Sequence, residues 1–253
     1  MTAISASQVK ELRERTGAGM MDCKRALVDT GGDMDEAIKL IREKGLAQAA
    51  KKAGRETTEG KIVFDLSEES VAAMVAVGCE TEPVSNNEQF MVFAQRVLDA
   101  VEKHGANAAQ ELEDERVDLV SKLGENIVVR DAVRYEATDG EVLSAYVHPP
   151  ANKLGVLVHG RGDGDQAYRL AMHIAASRPL YVRRSDVPEA EINAEREILE
   201  KQPDVQEKPE QVRGKIVDGR IQKWLQEIVL EGSRGSTTRT ARSATCSARR
   251  GSK

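Results

Sequence analysis

Aromatic side chains are scarce: three Phe, four Tyr and one Trp in 253 residues. So few ring faces argue against a stacking platform for single-stranded nucleic acid and against a large β-sandwich. Cysteine is nearly absent too. Cys23, Cys79 and Cys246 are odd in number and far apart, so they form neither a zinc spacing nor a disulfide framework. A reducing, cytoplasmic compartment is the expectation. The longest uncharged apolar run, Val71 to Val77, falls far short of the roughly 18 residues a membrane span needs. Met1 to Lys10 is polar and lacks the hydrophobic stretch of a signal peptide. Enzyme motifs are missing as well. There is no Walker lysine loop and no nucleophile elbow. His104, His148, His159 and His173 have no cysteine or carboxylate neighbours at ligand spacing, so they read as structural or surface groups. No chemistry of the chain's own, no cofactor and no metal are expected.

What is present is charge, unevenly spread. The whole chain holds 37 Lys and Arg against 42 Asp and Glu, a net −5. Residues 232–253 carry six bases (Arg234, Arg239, Arg242, Arg249, Arg250 and Lys253) and no acid. The first 231 residues are therefore clearly acidic, and the Ser/Thr/Gly/Ala-rich end is a different composition. The length allows one to three domains, and 40% hydrophobic content is enough for a folded core.

The hydrophobic period changes along the chain. Residues 5–53 read as three short helices, with Ser5 or Ser7 capping the first and Asp33 capping the third. Such a unit buries little and should be small and marginal. Lys51 to Gly60 is charged, holds two glycines and reads as a linker. Lys61–Leu66 and Ser70–Val77 then read as strands, Asn87–His104 and Leu112–Leu123 as helices. Ile127–Ala137, Val142–Val147 and Gly155–His159 read as strands, with Asp139-Gly140 as a hairpin turn between the first two. Gly160 to Asp165 reads as a strand-to-helix turn, since its two acids would repel phosphate, and Asp165–Ala176 as the helix after it. From Val187 to Leu230 the chain is helical and charged, split at Pro203 and Pro209 into an antiparallel pair expected to project. The fold class is α+β with antiparallel sheet.

Two segments hold unusual residues. Leu12-Arg13-Glu14-Arg15-Thr16-Gly17-Ala18-Gly19-Met20-Met21-Asp22-Cys23-Lys24-Arg25-Ala26-Leu27 puts two methionines beside an inter-helix break. Methionine is an adaptable contact residue. The pair either fills the small core or forms a docking patch. Val77-Gly78-Cys79-Glu80-Thr81-Glu82-Pro83-Val84-Ser85-Asn86-Asn87-Glu88 is a loop between a strand and a helix, and Ser85 with Glu88 has capping-box spacing.

Together these segments resemble the elongation factor Ts family, the nucleotide-exchange factors of elongation factor Tu. The first matches the family pattern Leu-Arg-x-x-Thr-Gly-Ala-Gly-Met, then Asp-Cys-Lys-x-Ala-Leu. The second sits where the family carries Asn-Cys-Glu-Thr-Asp-Phe-Val. The likeness continues through Gly155–Val158, Ala171–Ala176, Ser185–Pro188 and Lys208–Leu225, and covers about residues 1–231. It implies a ubiquitin-associated-like three-helix domain at 1–54, core subdomains at 55–140 and 141–186, a protruding helical hairpin at 187–226, and the end of the core from 227. It also implies that Arg13, Met20 and Met21 dock on the GTPase domain of elongation factor Tu. Thr81, Glu82, Pro83 and Val84 would disturb the magnesium and phosphate site and so release GDP. Homodimers and a heterotetramer with elongation factor Tu are both compatible with the family.

Two departures stand out. The family's Asp-Phe is Glu82-Pro83 here, and the Asn before the cysteine is Gly78. Losing the Phe forfeits about 1.5–3 kcal/mol of contact, so exchange is expected to be weakened. Residues 232–253 also lack the family's last segment. With GC-rich codons, Gly235 to Lys253 back-translate to a DNA that, read two bases later, encodes Ile-His-Asp-Glu-Asp-Gly-Thr-Val-Gly-Asp-Val-Leu-Gly-Ala-Lys-Gly-Ile-Lys. A frameshift near Leu230 and a disordered tail are the expectation. An RNA-binding reading of Arg183-Arg184 and the basic end is opposed by the acidic body. A scaffold or holdase for elongation factor Tu is the closer alternative.

Overall fold

A computed structural model describes residues 4–68, 70–231 and 241–247. It opens with three helices, α1 (Ala6–Thr16), α2 (Met20–Asp29) and α3 (Met34–Lys52). Their ends follow local chemistry. Ser5 and Gln8 form a capping box at α1, Gly17 closes that helix with φ 66°, and the Asp33 carboxylate accepts from Asp35 N and Glu36 N at α3. The shared core is only Leu12, Cys23, Ala26, Leu27 and Ala37.

Two three-stranded antiparallel sheets follow. The first has the order β1 (Glu59–Glu68), β2 (Val71–Cys79), β3 (Val128–Glu136). The second has the order β4 (Glu141–Val147), β5 (Leu154–Arg161), β6 (Ala241–Ser247). Between β2 and β3 lie α4 (Glu82–Ser85), α5 (Glu88–His104), a 3-10 helix (Ala106–Leu112) and α6 (Glu113–Leu123).

β2 is buried along its whole length, and its two faces go to different partners. Ala73, Val75, Val77 and Cys79 meet Phe90, Phe93, Val97 and Val101 of α5 and Val120 of α6. Ala72, Met74 and Ala76 meet Ala145 and Leu157 of the second sheet. This is the period of two expected when a central strand is covered on both sides. The sheets approach closely at Gly155, where a Cβ would lie 2.7 Å from Ile62 Cγ2 and Met74 Sδ. Val156 and Val158 turn the other way, onto α7 (Gly164–Ser177) through Leu170, Ala171 and Ile174. The layers therefore run helix, sheet, sheet, helix.

The charged end of the chain folds into α8 (Glu189–Glu200), α9 (Pro203–Gln206) and α10 (Glu210–Ile228). Arg196 on α8 reaches Asp218 on α10 at 2.7 Å, and Arg220 pairs with Asp204 of α9. Ile192, Leu199, Val205, Val217, Ile221 and Leu225 form a separate apolar cluster between them.

Four expectations change. Asp139-Gly140 is a turn, but β3 and β4 do not pair: the turn carries the chain from one sheet to the other. A local turn signal does not specify which strands pair; the buried faces do. Ser85 does not cap the long helix. Asn87 does, accepting from Gln89 N at 2.8 Å, and Ser85 Oγ donates to Glu82 O within the one-turn α4. Residues 53–57 are no free linker. Thr57 is buried, and Asn126 binds the carbonyls of Ala53 and Arg55. Residues 241–247 of the tail are not disordered: β6 pairs with β5, from Leu154 opposite Ser247 to Gly160 opposite Ala241. An unpaired edge accepts an extended segment through backbone hydrogen bonds, whatever its side chains. The rest of the expected disordered tail, 232–240 and 248–253, lies outside the described residues.

Candidate functional site

The second signature loop leaves the end of the most buried strand. Cys79 closes β2, and its Sγ donates to Thr81 O at 3.2 Å. Burial, then the nearby Glu125 carboxylate, push this thiol up to about 12. It stays protonated at neutral pH and is a packing group, not a nucleophile. Gly78 lies directly against the Arg130 side chain. A Cβ there would sit 2.4 Å from Arg130 Nε, and Arg130 Nη2 donates to Thr57 Oγ1 at 2.7 Å.

Thr81 is the extended N-cap of α4. Its hydroxyl makes no capping bond within the helix. Instead Oγ1 donates to Glu125 Oε1 at 2.6 Å, while Glu80 N and Thr81 N both donate to Glu125 Oε2 at 3.0 Å. Three donors thus converge on one carboxylate from the turn between α6 and β3. Sequence reasoning missed Glu125, because a bond between residues 44 apart leaves no local pattern.

The four loop residues do not share one environment. Thr81, Glu82 and Pro83 are exposed, whereas Val84 packs against the cluster beneath α5. Val84 acts as the anchor, and the first three residues form the presented surface. Pro83 lies in the first turn of α4, where its missing N–H has no intrahelical acceptor to lose. Its fixed φ suits that position without straining the turn.

The other predicted group rides on the helical unit. Arg13 is exposed on α1. Met20 and Met21 begin α2 and are 55% and 63% exposed, so they do not fill the small core. Gly19, the N-cap of α2, is extended, and Gly17 lies against the Lys122 side chain at the end of α6. The unit is fastened to the core along α3 and α6. Arg42 pairs with Asp114 at 2.5 Å, and Lys52 Nζ donates to Val120 O at 3.4 Å. Both predicted surfaces therefore meet the core at one place. Gly17 borders Lys122 and Thr81 binds Glu125, at the end of α6 and the turn after it.

Among the described residues, no three His, Cys, Asp or Glu side chains gather as a metal site. No helix there is long and apolar enough to cross a membrane. The glycine-rich stretch before α7 is a strand-to-helix turn, with Asp163 accepting from Asp165 N at 3.2 Å. His159 Nε2 lies 3.0 Å from Glu141 Oε2, and His104 lies 3.2 Å from Glu111.

Comparison with known proteins follows the same ground. The family model described as Elongation factor TS matches residues 80–233, beginning inside the loop braced by Glu125. The elongation factor Ts of Thioalkalivibrio sulfidiphilus is 47% identical over 242 residues, covering 90% of this chain and 82% of that protein. The chain belongs to the elongation factor Ts family. The elongation factor Ts proteins of Vibrio vulnificus and Rhodospirillum centenum are 44% and 42% identical, each covering 91% of this chain and 81% of theirs. Membership sets the chain among elongation factors of protein synthesis. It is consistent with a protein built of helices and antiparallel sheets.

Proposed function

We propose that the protein binds elongation factor Tu carrying GDP and speeds GDP release, so that GTP can take its place. The observation that carries this is the loop of Thr81, Glu82, Pro83 and Val84: it is exposed at its tip, anchored by Val84 and held by three hydrogen bonds to Glu125. Arg13, Met20 and Met21 dock on the GTPase domain, and the braced loop then disturbs the magnesium and phosphate site. The physical logic is linkage. A partner that binds the nucleotide-free form more tightly must weaken nucleotide binding by the same factor. Magnesium bridges the phosphates to the GTPase, so moving its surroundings is an efficient route to release.

In this reading α1–α3 form the ubiquitin-associated-like docking domain at 1–54. The two sheets are the core subdomains at 55–140 and 141–186, and α8–α10 are the projecting hairpin within 187–226. The change of composition after Leu230 is a shift of reading frame, which the DNA of the gene decides. The protein works in the cytoplasm, without its own chemistry, membrane contact or direct nucleic-acid contact.

The test is release of fluorescent GDP from the cognate elongation factor Tu, with and without this protein. Release should quicken and saturate as the protein is added; an unchanged rate would end the proposal. A second reading, a binding scaffold or holdase with weak exchange, is favoured by Pro83 standing where the family has Phe. Tight binding with little acceleration, and full acceleration in Pro83→Phe, would select it.

A further inference from the structure

The turn Gly124-Glu125-Asn126 does more than close α6. Glu125 collects Glu80 N, Thr81 N and Thr81 Oγ1 on one carboxylate. The reverse bond is present too, since Asn126 N donates to Glu80 Oε1 at 2.7 Å. Glu80 in turn lies 3.5 Å from the Arg55 guanidinium. Asn126 is 2% exposed, and its Nδ2 donates to Arg55 O at 2.8 Å and to Ala53 O at 3.4 Å. Ala53 is the C-cap of α3, the helix that carries the docking unit. One dipeptide therefore grips the exchange loop with its first side chain and the end of the docking unit with its second.

Hydrogen bonds to an ionised acceptor are shorter and stronger than neutral ones. Three of them on one carboxylate hold the backbone at Glu80 and Thr81 before any partner arrives. A loop already ordered pays less on binding than one that must order in the complex. On this basis, and resting on the exchange reading above, we infer that Glu125 is a positioning residue for nucleotide release. It presets the Thr81–Val84 loop, and Asn126 fixes the spacing between that loop and the docking helices. Glu125 is not itself part of the presented surface. Its effect should fall on the speed of release at saturation, not on docking.

The experiment uses the full chain with Glu125→Ala and Glu125→Gln. Saturating GDP release from elongation factor Tu should fall about tenfold in Glu125→Ala, with the half-saturating concentration within about twofold of wild type. Glu125→Gln keeps a carbonyl that can accept both backbone N–H groups, so it should recover much of the loss. Amide hydrogen exchange gives a readout in the free protein. The Glu80 and Thr81 amides should lose protection in the Ala variant and regain it in the Gln variant. Unchanged exchange at these two amides, or a saturating rate within twofold of wild type in Glu125→Ala, overturns the inference. Slowing that tracks a lower melting temperature in both variants also overturns it. A wild-type protein that releases no GDP would sink the exchange reading instead, and the two amides would then decide the clamp by themselves.

Discussion

The two candidate contact regions are built in opposite ways. The Thr81–Val84 loop springs from a fully buried strand and is braced by side-chain and backbone hydrogen bonds from a turn 44 residues away. The Met20-Met21 patch stands on a unit whose core is five buried residues. The first resists displacement, while the second offers flexible, apolar side chains that adapt to whatever they meet. Under the proposed exchange function, the difference is a division of labour: the soft surface captures the partner, and the stiff one pushes a bound ion's surroundings out of place.

The strongest challenge to this contrast is to empty the small core. Leu12→Ala should cost about 2–5 kcal/mol and remove amide protection from α1 to α3 while leaving β2 protected. Equal loss of protection in both regions would show that they are one cooperative body. Pro83→Phe restores an aromatic ring to the stiff region. If that ring becomes buried against the partner it contributes about 1.5–3 kcal/mol, so saturating GDP release should rise by about one to two decades. An unchanged rate would mean that Pro83 is no handicap. Replacing Met20 and Met21 together by Ala should raise the half-saturating concentration about tenfold, or ~1.4 kcal/mol, and leave the saturating rate alone. A fall in the saturating rate instead would blur the two roles.

The smallest effect lies outside both regions. Bonds from Thr138, then the His159 contact, hold the Glu141 carboxyl down at about 2 from 4.5. A depressed carboxyl stabilises the fold above its unfolded value and loses that contribution as pH falls through its folded one. Glu141→Gln should therefore flatten the acid side of the stability curve between pH 4.5 and 2 and leave nucleotide release at neutral pH unaltered. A parallel curve would show that the contact does not matter to folding.

Much of this contrast is legible in the residues themselves, and the rest is not for a physical reason. The ends of the first and third helices were readable because caps are local. Asp33 reaches N–H groups two and three residues on, and Gly17 supplies a left-handed close. The pairing of the strands was not readable from the residues alone. Asp139-Gly140 announces a turn, but only the burial of β2 on both faces decides that β3 pairs with β2 and not with β4. The position of Thr81–Val84 came from a motif, and the exposure of Met20 and Met21 could not be settled by spacing. Glu125 was invisible because its partners are distant in sequence and ordinary in type. The tail shows the limit of composition. A basic, Ser- and Thr-rich stretch reads as disordered, yet Ala241–Ser247 fills the edge of β5 through its backbone.

The central proposal is that the braced loop acts on the magnesium site. The most direct measurement is GDP release from elongation factor Tu with and without a saturating amount of this protein, repeated after a chelator has removed magnesium. If the loop works through the ion, the chelator alone should speed release, and the further acceleration by the protein should shrink sharply. The same fold-acceleration with and without magnesium would contradict it.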